Sequence, residues 1–315
     1  MIRILYGSDF HGSDVVFRKF LNAAVQYQAN ALVIGGDVTG KAMVPIVNKG
    51  DSVYEGYLFG RAETVRTKEE IEKLKKTISN VGFYPIVLEQ DEANALEKDP
   101  ELMSKRFEKE MCQRVREWLT LADQFLTPKK MTLYFMPGND DSFSIDKVIK
   151  EFPNIKNPDM TSFPLDNDHE ILGCSYANMT PWACVRDLEE PDLQNKMDEL
   201  GKMVKNPETA IVVLHVPPIS SNLDTCPALD KNLKIITSGG QVLMKSAGAQ
   251  ASRNFIEKVQ PLLGLHGHIH ESPGYTYIGR TLCINAGSEY VESILKAAII
   301  NIEGPKVKGH ILISG

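Results

Sequence analysis

The chain has 315 residues, of which 43% are hydrophobic and 24% charged, and its formal net charge is −6. This length suits one large domain or a domain with a sizeable insertion, and the composition excludes a disordered or fibrous protein. The acidic balance and the absence of a Lys/Arg run argue against a nucleic-acid backbone as the main partner. No apolar stretch approaches the roughly 20 residues of a membrane span, and no signal-peptide pattern opens the chain, so we expect a cytoplasmic protein without a membrane partner.

The first elements are predicted to form a strand–helix–strand unit. Residues 2–6 are an apolar run, residues 15–27 have helical periodicity behind the candidate cap Ser13, and residues 31–34 are a second apolar run. This βαβ pattern predicts an α/β fold. Further buried strands are predicted where apolar runs end at a polar motif, at residues 131–136, 210–214 and 262–265.

Residues 41–130 differ in character, because they are denser in charge than the rest of the chain yet balanced in sign. We predict a hairpin-like stretch over 43–66, a helix after Thr67, a strand over 83–88 and a long helix over 100–125. The segment is interpreted as an inserted cap or accessory subdomain within a domain of residues 1–40 and 131–315. A solvated helical excursion without a functional role, or a dimerisation element in a homo-oligomer, would have the same composition.

The C-terminal part reads as strands. Strand-like runs at 275–278, 281–284, 293–302 and 307–313, with turns at Gly279-Arg280 and Gly304-Pro305, predict a β-meander. The five cysteines are far apart and include no CxxC pair, which favours reduced, packed thiols over disulfides or metal ligands.

Five short polar segments follow predicted strands, where an open α/β sheet presents its loops to a ligand. They are Asp9-Phe10-His11, Gly35-Gly36-Asp37, Gly138-Asn139-Asp140-Asp141, His215 and Gly267-His268-Ile269-His270.

The residue types in these segments favour a dinuclear metal site. His268 and His270 are spaced so that they reach two adjacent ions more easily than one, and the two oxygens of Asp37 can bridge such ions. Imidazole, carboxylate and amide donors match Mn, Fe, Zn or Co better than Mg or Ca, which prefer oxygen ligands alone.

The order DxH, GD, GN, H, GHxH over residues 9–270 resembles the calcineurin-like metallophosphoesterases. The segment 260–271, with His215-Val216-Pro217-Pro218 upstream, particularly resembles their small prokaryotic members. The resemblance implies a four-layer α/β/β/α sandwich, here with an inserted α/β cap subdomain. It also implies that Asp9, His11, Asp37 and His270 hold one divalent ion, and that Asp37, Asn139, His215 and His268 hold a second.

Metal chemistry then implies a mechanism in which a metal-activated hydroxide attacks a phosphoryl group in line, without a protein nucleophile. Asn139 would bind through its amide oxygen and leave its NH2 group to donate to the phosphoryl oxygen. The family usually has His after this Asn, whereas this chain has Asp140. Asp140 is therefore the candidate general acid, with coupling to Asp141 as one way of raising its pKa.

Four other residues are candidates near the site. His266 is interpreted as a core or supporting residue rather than a third ligand, and Glu271 either orients a ligand or lies exposed. Trp182 and Arg186 could contact a substrate by stacking or charge, with packing as the alternative for Trp182.

The sequence thus predicts a metal-dependent hydrolase of a small phosphodiester or phosphomonoester. A catalytically weak interaction protein on the same fold is the alternative, because the usual His is missing.

Overall fold

A computed structural model describes all residues, 1–315, as a mixed α/β protein. The helices are α1 (Asp14–Gln26), α2 (Lys68–Asn80), α3 (Gln90–Lys98), α4 (Pro100–Leu126), α5 (Ser144–Ile149), α6 (Glu190–Met203) and α7 (Gln250–Val259), with a 3-10 turn at Thr127–Lys129. The first strands are β1 (Ile2–Gly7), β2 (Ala31–Ile34), β3 (Met43–Asn48), β4 (Tyr54–Leu58), β5 (Arg61–Val65), β6 (Tyr84–Leu88), β7 (Thr132–Phe135), β8 (Phe163–Pro164), β9 (Glu170–Cys174), β10 (Ala177–Asn178) and β11 (Asp187–Leu188). The remaining strands are β12 (Ala210–Leu214), β13 (Thr225–Pro227), β14 (Thr237–Ser238), β15 (Gln241–Val242), β16 (Met244–Ser246), β17 (Leu263–His266), β18 (Gly274–Ile278), β19 (Thr281–Asn285), β20 (Lys296–Glu303) and β21 (Lys306–Ser314).

Two sheets form the centre of the molecule. The first has the strand order β21-β20-β1-β2-β7, in which β1, β2 and β7 are parallel and the last two strands of the chain are antiparallel. The second has the order β18-β19-β17-β12-β9-β8, with four parallel strands between two antiparallel edges. The parallel strands are buried on both faces, which explains why they read as continuous apolar runs.

Alternation along the strands divides the interior into three cores. Ile4 of β1 packs with residues of the second sheet such as Ile211, whereas its neighbour Leu5 packs with helix residues that include Trp118. On the far face of the second sheet, Leu214 packs with residues of α6 and α7. The two sheets therefore share one core, and each has a second core with its helices.

The segment between β2 and β7 adds a separate four-stranded sheet in the order β5-β4-β3-β6. Its helix α2 has Thr67 as the N-cap residue, whose hydroxyl accepts from Glu70 N while the Glu70 carboxylate accepts from Thr67 N, a reciprocal cap. The later half of α4 packs into the core of the first sheet through Val115, Trp118 and Leu119. The division into residues 1–40 with 131–315 and an inserted 41–130 stays a prediction.

Two local predictions are corrected. The C-terminal strands are not a meander, because β18 and β19 belong to the second sheet while β20 and β21 cross to the first. Ser13 occupies the N-cap position of α1, but its hydroxyl donates to Asn80 O, 2.5 Å away, instead of capping the helix. None of the helices, not even the 27-residue α4, is long and apolar enough to cross a membrane.

Candidate metal centre

The predicted ligands meet at one edge of the two sheets. They lie on the loops that follow the parallel strands β1, β2, β7, β12 and β17, at the carboxyl ends of those strands. Chain direction alone therefore brings together residues as distant in sequence as Asp9 and His270.

A first cluster contains Asp9, His11 and His270. His11 Nε2 lies 3.1 Å from His270 Nε2, and His270 Nε2 lies 3.5 Å from Asp9 Oδ1. Asp9 and His11 are fully buried, whereas the His270 side chain is 27% exposed. This cluster opens to solvent on the His270 side.

A second cluster contains Asp37, His215 and His268, with Asn139 between the two rings. Asn139 Oδ1 lies 3.0 Å from His215 Nε2 and 3.0 Å from His268 Nδ1. Asp37 Oδ1 lies 3.3 Å from His215 Nε2, and its other oxygen lies 3.7 Å from His11 Nε2. Asp37 therefore faces both clusters, one oxygen to each.

The distances between donor atoms fit divalent ions. Atoms that bind one ion lie about 2.0–2.2 Å from it, so two of them at right or tetrahedral angles are roughly 2.8–3.6 Å apart. The contacts within the clusters range from 3.0 to 3.5 Å. A set of buried imidazole, carboxylate and amide donors at this spacing suits borderline divalent ions.

The buried charges of the site also favour bound cations. Asp9 and Asp37 are 0% and 5% exposed, and their ion-pair partners are histidines only, with no Lys or Arg within 4.0 Å. Buried carboxylates are normally paired or bound to a metal ion. The residues therefore fit divalent cations.

The histidines differ in their affinity for protons. Burial lowers the pKa of His11 to about 3 and that of His268 to about 4, which leaves both rings neutral, as metal ligands must be. Burial also disfavours the charged form of His215, but the neighbouring Asp37 carboxylate outweighs it and raises the pKa of this ring to about 9. Without a metal ion, a proton on His215 offsets the charge of Asp37.

The backbone at the site is held in an uncommon conformation. Asp9, His11, Asp37 and His268 all have positive φ, at 59°, 43°, 48° and 67°. Non-glycine residues rarely adopt these values, and they persist where the surrounding structure imposes them, often at functional sites. Four of the predicted ligands share this feature.

Two glycines of the motifs are needed for close approach. A Cβ on Gly138 would overlap the Asp37 carboxylate and backbone, and one on Gly267 would overlap the side chains of Ser8 and Asp9. These glycines allow the loops after β7 and β17 to approach Asp37 and Asp9.

Neighbouring groups fix the orientation of the donors. His215 Nδ1 lies 2.9 Å from Gly35 O, a contact that leaves Nε2 directed at the cluster. Asn139 Nδ2 donates to Asp187 Oδ1 at 2.8 Å, which turns its oxygen towards the two rings. Asp187 accepts from one N–H of this NH2 group, and donation by the second N–H to a phosphoryl oxygen stays a prediction.

Asp140 and Asp141 have different environments. Asp141 is fully buried and accepts from the backbone N–H groups of Val38, Thr39 and Gly138, so it ties two site loops together. Burial raises the pKa of Asp141 to about 6. Asp140 instead faces the site, with Oδ2 3.2 Å from Lys41 Nζ and 4.0 Å from His11 Nδ1. The Asp140 carboxylate forms an ion pair with Lys41, and its oxygen lies within 4.8 Å of donor atoms of His11 and Asp37.

Lys41 and Asp187 are the residues that the sequence analysis missed. Lys41 follows Asp37 by four positions in a loop, and nothing in its spacing distinguishes it from the other surface lysines. Asp187 is 48 residues from Asn139 and belongs to no motif. Burial lowers the pKa of Lys41, but Asp140 and Asp37 outweigh this and raise it above the ordinary value.

The four other candidate residues lie in different environments. His266 lies outside both clusters, with Nδ1 3.0 Å from Leu214 O. Glu271 is exposed at the cavity wall. Arg186 is 1% exposed and donates to Asp141 O and Asp146 Oδ1. The prediction that Arg186 contacts a substrate is therefore wrong. The interpretation of Trp182 as a packing residue is also wrong, because its side chain is 63% exposed.

A cavity of about 760 Å³ opens directly onto both clusters. Asp37, Asn139, Asp140, His268 and His270 form one part of its wall. Lys41 and Lys245 are the Lys/Arg side chains in its lining. The centre is therefore accessible to a ligand considerably larger than an ion.

Comparison with known proteins gives likeness in structure only. No protein-family model and no curated protein matches the sequence. The protein TT1561 of Thermus thermophilus matches with a TM-score of 0.54 and 12% identity over 100% of this chain and 98% of its own. Another solved structure matches with a TM-score of 0.56 and 14% identity over 99% and 98%.

A dimetal phosphatase from Danio rerio matches over 99% of this chain and 98% of its own, with 8% identity and a TM-score of 0.47. At such identities a likeness concerns the fold. The two matches with TM-scores of 0.54 and 0.56 show a shared fold over nearly the whole chain, and the resemblance to the metallophosphoesterases rests on the sequence motifs.

Proposed function

We propose that this chain is a dinuclear metal-dependent phosphoesterase that hydrolyses a phosphodiester or a phosphomonoester. The observation that carries the proposal is Asp37, whose two oxygens face two separate clusters of buried donors at the floor of an open cavity. Asp9, His11, Asp37 and His270 would hold one ion, and Asp37, Asn139, His215 and His268 the other. Mn, Fe or Zn suits this donor set. The two sheets with their outer helices would then be the four-layer α/β/β/α sandwich of this family, with residues 41–130 as a cap.

Two divalent ions in these positions would supply Lewis acidity that lowers the pKa of water and neutralises phosphoryl charge. The protein supplies the geometry. Asp187 holds the Asn139 amide, Gly35 O holds the His215 ring, and the Asp9 carboxylate accepts from His268 N at 3.0 Å. These contacts keep the donors in place before any ligand binds.

Lys41 contributes a cation at the cavity side of the centre. Its ammonium group is 3.2 Å from Asp140 Oδ2, and both residues line the cavity. We assign Lys41 to the phosphoryl oxygens of the substrate and Asp140 to holding Lys41. In this assignment Asp140 positions a cation at the place in the sequence where related proteins have His.

The test is hydrolysis of bis(p-nitrophenyl) phosphate and p-nitrophenyl phosphate by the purified protein with added Mn²⁺. We expect turnover that chelation abolishes and that Asn139→Ala lowers by at least about 100-fold, the usual scale for a group that acts directly on the reacting centre. A protein that carries two ions per chain and cleaves neither ester would refute the proposal and leave the interaction protein as the function.

A further inference from the structure

The cavity next to the metal centre has an apolar side. Three parts of the chain that are distant in sequence contribute to it: helix α4, the loop before β11 and the segment between β12 and α7. The apolar side chains that form this wall are Phe107, Met179, Trp182, Leu229, Leu233 and Ile235.

Four of these side chains are exposed, whereas Phe107 packs against Tyr84 and the core of the first sheet. Trp182 is 63% exposed, Ile235 54%, Met179 46% and Leu233 45%. Large apolar side chains that are exposed singly are ordinary, but a group of them around one concave site marks a binding surface. This wall is therefore suited to bind an apolar group of a ligand.

The metal centre next to the apolar wall limits which ligand can occupy the cavity. The apolar wall and the residues of both metal clusters line one continuous cavity of about 760 Å³, within the range of about 300–1,000 Å³ usual for small-molecule sites. A phosphoryl group alone would occupy only the floor, near Lys41 and His270. The space beyond it suits an apolar substituent attached to that same phosphate.

We propose that the substrate is a phosphate ester with a large apolar group, which lies against Trp182 and Ile235 while the phosphate lies at the metal centre. This inference rests on the proposed function for the position of the phosphate. The apolar group is either an aromatic ring, which Trp182 would stack on, or an alkyl chain. The shared chemistry is an apolar ester substituent too large for a site that only recognises phosphate.

The chain has two tryptophans, so binding can be followed without turnover. Trp118 is 1% exposed and stacked on Phe17, with ring centroids 4.4 Å apart, whereas Trp182 stands at the cavity. Fluorescence is titrated with methylphosphonate, phenylphosphonate and hexylphosphonate in the presence of Mn²⁺. The variant Trp182→Phe gives the background from Trp118.

We expect phenylphosphonate or hexylphosphonate to bind at least about tenfold more tightly than methylphosphonate, because each buried apolar group adds to the affinity. A preference for the phenyl compound identifies an aromatic substrate, and a preference for the hexyl compound an alkyl one. Ile235→Ser should reduce the preference about threefold or more. Tyr277→Ser, a change at a 61% exposed residue outside the cavity lining, should leave it unchanged.

Equal affinity for the three phosphonates, or no Trp182 signal with any of them, would overturn the inference. So would Trp182 emission that changes with protein concentration alone, because a second copy of the chain would then cover the wall. Failure of the proposed function has a different signature: the apolar preference remains, but chelation of Mn²⁺ leaves phosphonate binding unchanged and no ester is cleaved.

Discussion

The side-chain amide of Asn139 donates to Asp187 Oδ1 over 2.8 Å, and this contact directs the amide oxygen towards His215 and His268. Asp187 is itself held by Thr180 N and Cys184 N, both at 2.9 Å. A carboxylate outside every sequence motif therefore sets the orientation of a proposed metal ligand.

Asp187→Asn should weaken the second metal site selectively. We expect its affinity for Mn²⁺ to fall about 10- to 100-fold, the usual effect of losing a group that orients a ligand, while the site of Asp9, His11 and His270 is retained. Isothermal titration with Mn²⁺ measures both affinities. Asp192→Asn, on the exposed face of α6, is the matched control. Equal weakening of both sites would show that Asp187 acts on the whole fold instead.

Gly267→Ala should disrupt the first site, because the added Cβ would overlap the side chains of Ser8 and Asp9. We expect a loss of about 1–3 kcal/mol in the free energy of unfolding, typical of overpacking, together with loss of the Asp9 ion. Thermal denaturation and metal analysis check the two effects. Gly309→Ala, where nothing lies within 4 Å of the added atom, serves as the control. Wild-type metal content in Gly267→Ala would contradict the close approach.

Lys41→Met should lower kcat/KM for a phosphodiester by about 10- to 100-fold, the scale of one hydrogen bond to a charged group. Lys41→Arg should restore part of the loss. Lys245→Met provides the control, because Lys245 lines the same cavity without an ion pair to Asp140. If Lys41→Met changes only the melting temperature, the lysine stabilises the Asp140 loop and does not contact the substrate.

Arg186→Met tests a purely structural assignment. The buried guanidinium is 2.9 Å from Asp146 Oδ1 and 3.6 Å from Asp159 Oδ2, so its removal leaves carboxylates without their partner. We expect the free energy of unfolding to fall by about 3 kcal/mol. Arg116→Met removes an exposed pair with Glu151 and should cost under about 1 kcal/mol. Denaturant titration measures the free energy of unfolding of the two variants. If both lose the same amount, burial of the Arg186 ion pairs is not what stabilises the fold.

The sequence predicts the parts of the molecule that follow from local pattern. Strand β2 has the predicted bounds, and the Asp9 and His270 motifs converge because parallel strands end at one edge. The local sequence does not determine which sheet β20 joins, because its apolar run would fit either sheet. Likewise, Asp187 and Lys41 act through contacts across the chain that neither periodicity nor spacing encodes.

The most direct test of the central claim is the metal content of the purified protein and of single-site variants. The proposed arrangement predicts two divalent ions per chain in the wild type, one in His270→Ala and none held tightly in Asp37→Ala, with Asp168→Ala as an exposed control that keeps both. Inductively coupled plasma mass spectrometry after equilibration with Mn²⁺ gives these numbers. A wild type with no bound metal, or an Asp37→Ala variant that still holds two ions, would contradict it.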